Sequence, residues 1–398
     1  MCPEMDLAPH FLIYLDGSFF CGFCFMELTF TEVVEAYFQC RRMKRKTIHA
    51  IDFEFYLEKN LYQLYLDIIN GKYTIGPSIA FVVTQPKTRE IWAATFRDRI
   101  VHHIIYNRLV PRFYPSFIRD SFACIPERGV LDGSNRLHAG MRSISKNWTR
   151  SAYYLQGDIR NFFVSIEKNV LFGLLQKKIL EPWLLELTHQ VLFHDPKAGC
   201  ILKSAPEAFA RVPRHKSLWH IDYNRGLPIG NLTSQFFANV YLNELDQFSK
   251  QSLKAKYYYR YVDDFVILHE SSERLNEMFL EISDFCMDVL KIQVHPFKKR
   301  IAPLYMGIDF IGYVHKPFYR GLRKRTARKM VSLVHQWKKN PHALEDQALL
   351  KLRDSLNSYY GVCKWAMTYA LRKKIGDDLN SFFIWPDKYY RKLILPKN

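Results

Sequence analysis

The stretch YYYRYVDDFVIL, residues 257–268, restricts the fold more than any other part of this chain. Aromatic and aliphatic residues flank Asp263 and Asp264 on both sides, so two buried strands meet at a turn that carries adjacent carboxylates. Held rigidly beside a core, two such groups repel each other and their pKa values rise unless a cation offsets them. Neighbouring strand residues face opposite sides, so a metal is gripped strongly by one aspartate and weakly or indirectly by the other. A third carboxylate is then needed, and Asp158 fits, because YYLQGD also runs as a strand into a turn. Three aspartates on two neighbouring strands make an open, oxygen-rich site suited to Mg²⁺, which keeps waters and bridges substrate phosphates. Two such ions, roughly 3.5 to 4 Å apart, would activate an attacking hydroxyl and stabilise a leaving pyrophosphate, so phosphoryl transfer is the implied reaction.

The surrounding chain reads as a succession of short elements. Between Thr29 and Gly71 apolar residues recur at three and four, which predicts two helices joined by the basic cluster RRMKRK. IAFVVTQPKTREIWAAT alternates and turns at 86–88, a β-hairpin with Lys87 and Arg89 at its tip. FRDRIVHHIIYNRLVPRFY keeps helical spacing until Pro111, and YYLQGDIRNFFVSI runs from strand through turn to helix. LPIGNLTSQFFANVYLNELDQF is a glycine turn followed by an amphipathic helix, with Asn231 or Thr233 as its cap. IDFIGYVHKP is another short strand, and the last 80 residues form a basic helical tail. Composition shifts near residues 150 and 318.

Several residues near these turns suit a nucleotide. Lys87 and Arg89 can clamp a triphosphate, the arginine as a bidentate fork and the lysine as a point charge, or else form a solvated turn. Gly226 and Gly230 allow the backbone to approach a ligand, and Asn231, Thr233, Ser234 and Gln235 offer contacts to sugar or phosphate. Phe163 is either a core aromatic or a wall that leaves no room for a ribose 2′-hydroxyl. His102 and His103 are adjacent in a helical pattern and share no face, which argues against metal ligation. No Ser-His-Asp arrangement, Walker loop or dinucleotide glycine motif is present.

The 57 Lys and Arg outnumber 39 acids, a formal charge of +18 that attracts polyanions, nucleic acid first among them. With 48% hydrophobic residues and no low-complexity tract, the 398-residue chain is expected to be globular, in two or three subdomains. Eight scattered cysteines, of which only Cys21 and Cys24 are close, suggest reduced thiols in a cytoplasmic protein. The opening residues lack the basic start of a secretion signal and the length of a membrane span, so residues 1–27 are read as an N-terminal extension and no membrane is expected.

Taken in order, the blocks resemble a reverse transcriptase. YVDD (261–264) matches that family's catalytic turn, QGDIRNFF its strand with the first aspartate, GLPIGNLTSQ (226–235) its glycine turn and helix, HPFKKR (295–300) its lysine-bearing loop, and DFIGY (309–313) its primer-gripping strand. PKTREIWAATFRDRIVHH resembles the corresponding segment of bacterial and group II intron-like enzymes, and the resemblance runs from about residue 28 to the end. Ile229 and Gln235 stand where most relatives have Gln and Pro. With HKSLW (215–219) they resemble the enzymes of diversity-generating retroelements, which copy a template-repeat RNA into cDNA mutated at adenines.

The resemblance implies an α+β right-hand polymerase: helical fingers over 28–150, an antiparallel-sheet palm over 151–318 with an irregular insertion around 170–225, and a helical thumb over 319–398. It implies that Asp158, Asp263 and Asp264, helped by the backbone of Ile159, hold two Mg²⁺ ions. Lys87, Arg89, Phe163, Ile229, Gly230, Gln235 and Lys298 are then the nucleotide-binding residues, with Lys298 near the pyrophosphate as a proton donor. A branched apolar Ile229 cannot make the hydrogen bond that Gln supplies, which weakens discrimination between nucleotides. Expected partners are structured template RNA, cDNA or primer, dNTPs and a small basic accessory variability protein. The rival readings are a phage-defence reverse transcriptase of the same fold and a non-catalytic RNA-binding scaffold.

Overall fold

The computed structural model describes residues 27–42, 47–85, 87–339 and 345–395. Cys21 and Cys24, residues 1–26 of the N-terminal extension, positions 43–46 of the basic cluster and Pro86 at the hairpin tip lie outside the described residues. In chain order the elements begin with α1 (Phe30–Arg41), α2 (Ile48–Phe55), α3 (Leu57–Ile69), β1 (Ile79–Val83), β2 (Arg89–Ala93), α4 (Phe96–Phe113) and α5 (Val130–Ile144). Then come β3 (Tyr153–Asp158), α6 (Phe162–Ser165), α7 (Lys168–Gln176), α8 (Pro182–Phe193), β4 (Ile201–Leu202), α9 (Pro206–Ala210) and α10 (Leu232–Gln247). The last part holds β5 (Tyr257–Tyr261), β6 (Asp264–His269), α11 (Ser272–Asp288), β7 (Arg300–Pro303), β8 (Ile308–Phe310), β9 (Tyr313–Lys316), β10 (Tyr319–Leu322), α12 (Lys324–Lys338), α13 (Asp346–Cys363) and α14 (Tyr369–Leu379).

These elements fall into two compact units, each assembled from separate stretches of chain. The first comprises residues 1–118, 159–247 and 283–294. Its sheet pairs β1 and β2 antiparallel and adds β4 parallel to β1. The long helix α4 packs against α1 and α10, burying Ile100, Ile104, Ile105 and Leu109. Thr95 caps it, accepting from the Asp98 N–H, and the buried Asp98 carboxylate accepts from Tyr73 Oη at 2.8 Å, Gly76 N at 3.1 Å and Thr95 Oγ1 at 2.7 Å. That helix runs through Pro111 to Phe113, past the predicted stop. Before it, three helices rather than two stand among the described residues of 30–69, because the chain leaves helical geometry at Tyr56 (φ −122°, ψ 50°). The helix α10 is buried on nearly every side instead of along one stripe.

The second unit comprises residues 119–158, 248–282 and 295–398. Its main sheet is antiparallel, in the order β5-β6-β3-β7, and a second antiparallel sheet runs β10-β9-β8. Leu137, Met141 and Ile144 of α5 pack with Tyr154, Tyr259, Val266, Leu268, Ile308 and Phe310, so one core serves both sheets. Gly157 is required by this packing: a Cβ there would lie 2.3 Å from the Phe265 ring, its cross-strand partner. The helical tail has its own core, built on Met330, Val334, Leu356, Tyr360, Ile375 and Leu379. Among the described residues no helix is long and apolar enough to cross a membrane, and Cys200, Cys286 and Cys363 are free thiols.

Candidate active site

The acidic turn is a tight β-hairpin whose strands pair Tyr261 with Asp264, leaving only Val262 and Asp263 in the loop. Val262 has φ of 54°, a left-handed conformation that a β-branched residue rarely adopts. Two-residue hairpin turns demand such a φ and ordinarily place glycine or asparagine there. The support comes from Arg260, which is 1% exposed and whose Nη1 donates to the Val262 carbonyl at 3.0 Å. The Arg260 backbone is itself fixed, N–H to Asp120 O at 2.9 Å and C=O from Phe122 N at 3.0 Å. An arginine inside an aromatic strand was the signal for this support, and attention to the neighbouring aspartates hides it.

Across the sheet Asp264 stands in register with Asp158, the last residue of β3. Asp158 is 7% exposed, its carboxylate accepts from Lys298 Nζ, and its carbonyl accepts from His295 N at 2.7 Å. Burial, then the charges of Asp263 and Asp158, pushes the Asp264 carboxyl up to about 7. The structure therefore brings Asp158, Asp263, Asp264 and Lys298 together in one unit. Among the described residues no group of three acidic, imidazole or thiol side chains is arranged as a formed metal cluster. The donor chemistry nevertheless fits a hard cation: the three carboxyl groups are mutually repulsive, and Lys298 offsets them only in part.

The remaining predicted site residues lie in the other unit. Lys87 and Arg89 are exposed on the β1–β2 hairpin, Arg89 pairing with Val83, and among the described residues neither has a carboxylate partner. Ile159 is buried and bridges to Val294. Phe163 sits half-buried in α6, its carbonyl accepting from Leu227 N at 2.7 Å. The glycine turn is tied to β2, since Trp92 N donates to Ile229 O at 2.7 Å and Ala94 N to Asn231 Oδ1 at 2.9 Å. Gly230 has φ of 131°, and a Cβ there would meet Ile91 Cγ2 at 2.9 Å. Gln235 is exposed on α10, whereas Thr233 is buried with Oγ1 2.6 Å from His102 Nδ1. That contact gives His102 a packing role. Sequence reasoning missed Glu90, a buried carboxylate that accepts from Trp92 Nε1 at 3.2 Å and from Leu218 N at 3.0 Å, tying HKSLW to β2.

Residues 84–315, more than half the chain, match the reverse transcriptase (RNA-dependent DNA polymerase) family, and they span the basic hairpin tip, both aspartate strands and the lysine loop. The chain belongs to the reverse transcriptase family. The group II intron-encoded protein LtrA of Lactococcus lactis subsp. cremoris is 27% identical to this chain over 171 residues, 43% of this chain and 24% of LtrA. An uncharacterized 91 kDa protein in the cob intron of Schizosaccharomyces pombe is 27% identical over 189 residues, 47% of this chain and 20% of the relative. The chain thus spans about a fifth to a quarter of the length of the curated relatives it matches. Among solved structures, telomerase from Candida albicans in complex with a fragment of telomeric RNA aligns with a TM-score of 0.44 at 13% identity, over 82% of this chain and 61% of that one. The mixed helices and antiparallel sheets are those of an α+β polymerase of this family.

Proposed function

We propose that this reverse transcriptase is the polymerase of a diversity-generating retroelement, copying a template-repeat RNA into cDNA with substitutions at adenines. The observation that carries the polymerase reading is the register of Asp158 opposite Asp264, with Asp263 beside it in a turn over-determined by Arg260. Asp158, Asp263 and Asp264, with the Ile159 backbone, are the residues that would hold two Mg²⁺ ions. Bound there, the ions supply the positive charge that activates a primer 3′-hydroxyl and stabilises the departing pyrophosphate.

The protein's own groups do the positioning. Lys87 and Arg89, exposed and without acidic partners among the described residues, clamp the triphosphate. Lys298, already donating to Asp158, is placed to give a proton to the leaving pyrophosphate. Phe163 walls off the 2′-position, Gly230 lets the backbone approach the nucleotide, and Gln235 offers an amide. The mutagenic character rests on Ile229, whose carbonyl is committed to Trp92 and whose side chain has no hydrogen-bonding group for the incoming base pair. The fingers, palm and thumb follow the boundaries near residues 150 and 318, the partners are a structured RNA and a small basic accessory protein, and the setting is the cytoplasm.

The test is dNTP incorporation on a defined RNA template with adenines at known positions, followed by sequencing of the cDNA. Substitutions concentrated opposite adenine are expected. Faithful copying, errors spread evenly over the four bases, or template-free product would sink the retroelement reading while leaving the polymerase itself intact.

A further inference from the structure

A second concave site lies in the unit that carries the aspartates, beyond the opposite end of β3 from Asp158. Its walls come from α5, the turn leading into β3, the β9–β10 hairpin and the link between α13 and α14. The cleft offers about 790 Å³, toward the upper end of ligand pockets, which run from about 300 to 1,000 Å³.

Aromatic faces and unneutralised cations dominate it. Phe318 is 70% exposed and Trp365 41% exposed, and the Trp148 ring stands 5.7 Å from Phe318. Arg142, Arg320 and Lys364 line the same cleft, and among the described residues none of the three pairs with a carboxylate. Neutral groups hold them instead: Arg142 donates to Asn147 Oδ1 at 3.1 Å, Arg320 to Asn135 Oδ1 at 2.6 Å, and Lys364 lies 5.0 Å from the Trp365 ring centre. The heads are thus oriented without losing their charge. Lys146, Asn147 and Trp148 all have left-handed φ, 45°, 58° and 73°. Three such residues in a row need external support. Asn147 N donates to Arg142 O at 2.7 Å, Trp148 N to Ser145 Oγ at 3.0 Å, and Thr149 N and Arg150 N to Ser145 O at 2.9 Å. The indole of Trp148 is therefore presented to the cleft by a built turn.

We propose that this cleft binds an unpaired stretch of RNA, bases against Trp148, Phe318 and Trp365 and phosphates on Arg142, Arg320 and Lys364. Aromatic faces accept any base, but a duplex hides its base faces, so the combination selects a single strand. An acidic peptide would satisfy the cations and leave the rings unused. The side-chain amides of Asn135 and Asn147 add donors for a 2′-hydroxyl or a base edge. The six residues of β3 separate the cleft from Asp158 by about 20 Å at the usual strand rise. RNA held there lies away from the position being copied and anchors the template outside the active site.

The choice of RNA over DNA rests on the copying reading, and the test contains no dNTP, so it succeeds or fails independently of incorporation. A 12-nucleotide unpaired RNA carrying 5-iodouridine is bound to the full chain, cross-linked and mapped by mass spectrometry, with its affinity measured against salt. Adducts at Trp148, Phe318 or Trp365 are expected. Trp365→Ala should weaken binding about 10-fold or more and Trp365→Phe restore most of it. Arg142→Ala with Lys364→Ala should lower the salt slope by about 1.4, two single-strand phosphate contacts. Trp365 and Lys364 are exposed, so these variants spare the core, and a thermal melt equal to wild type verifies it. Adducts only outside the cleft, unchanged affinity and slope in well-folded variants, or equal affinity for DNA of the same sequence would overturn the proposal.

Discussion

Two antiparallel hairpins, one in each unit, carry predicted site residues, and they are built on opposite plans. The β5–β6 hairpin is buried, closes through a two-residue turn whose strained Val262 carbonyl is held by a buried arginine, and sets Asp264 opposite Asp158 on the facing strand. The β1–β2 hairpin ends in an exposed tip whose cations, Lys87 and Arg89, have no acidic partner among the described residues. Groups that must stay in one place against their own repulsion need a rigid frame, and that frame costs strain and burial. Groups proposed to meet a mobile polyphosphate keep their hydration and their freedom at an exposed tip. The same supersecondary unit therefore serves fixed charge in one case and adaptable charge in the other.

The largest effect should come from the fixed side. Asp263→Asn with Asp264→Asn is expected to cut dNTP incorporation by about 1,000-fold or more while leaving RNA binding largely intact, read by primer extension beside a filter-binding assay. Unchanged incorporation would refute the assignment of the acidic turn. Arg260→Leu strikes the frame rather than the charge. It removes a buried cation from the Val262 carbonyl and should cost about 3 kcal/mol, seen as a lower urea midpoint with its slope retained. A variant as stable as wild type would show that the strained turn does not lean on this guanidinium.

The acidic hairpin was legible because its alternation and its paired aspartates are local, and so was the strand ending in Asp158. Their register was not: Asp158 meets Asp264 across a hundred residues, and only the fold decides that. Arg260 escaped because a charge in a strand reads as an edge residue, whereas here it is almost wholly buried. Pro111 misled in the opposite direction. A proline lacks the N–H of the helical ladder, yet α4 is packed against α1 and α10 and continues through it to Phe113. The stripe expected on α10 was lost because a helix buried on nearly every side has no polar face to show. Tyr319–Leu322, read as the start of the helical tail, is a strand because β9 offers it a partner.

On the adaptable side the effects should be kinetic and smaller. Lys87→Ala and Arg89→Ala are each expected to raise the KM for dNTP about 10-fold with little change in kcat or in melting temperature, since each removes one charge-assisted contact from an exposed tip. A large loss of stability would place these residues in the frame and erase the contrast between the hairpins.

The smallest effect separates the two units by pH. His102, in the unit of the basic hairpin, and His315, in the unit of the acidic one, are both driven down to about 3, chiefly by burial. Neighbouring cationic and imidazole groups add to it, His103, Arg99 and His194 for the first and His138 and Arg320 for the second. A depressed histidine contributes stability above its unfolded pKa of about 6.5 and loses it as pH falls toward the folded value, because the unfolded chain takes up the proton first. Each imidazole should therefore cost roughly 0.7 kcal/mol between neutral pH and pH 6. Urea titrations at both pH values, for wild type, His102→Gln and His315→Gln, check this. Each glutamine variant should flatten the acid loss by its own share. If His102→Gln flattens it and His315→Gln does not, acid acts through the unit that carries the basic hairpin alone, and the acidic hairpin keeps its frame at a pH where the other has begun to loosen.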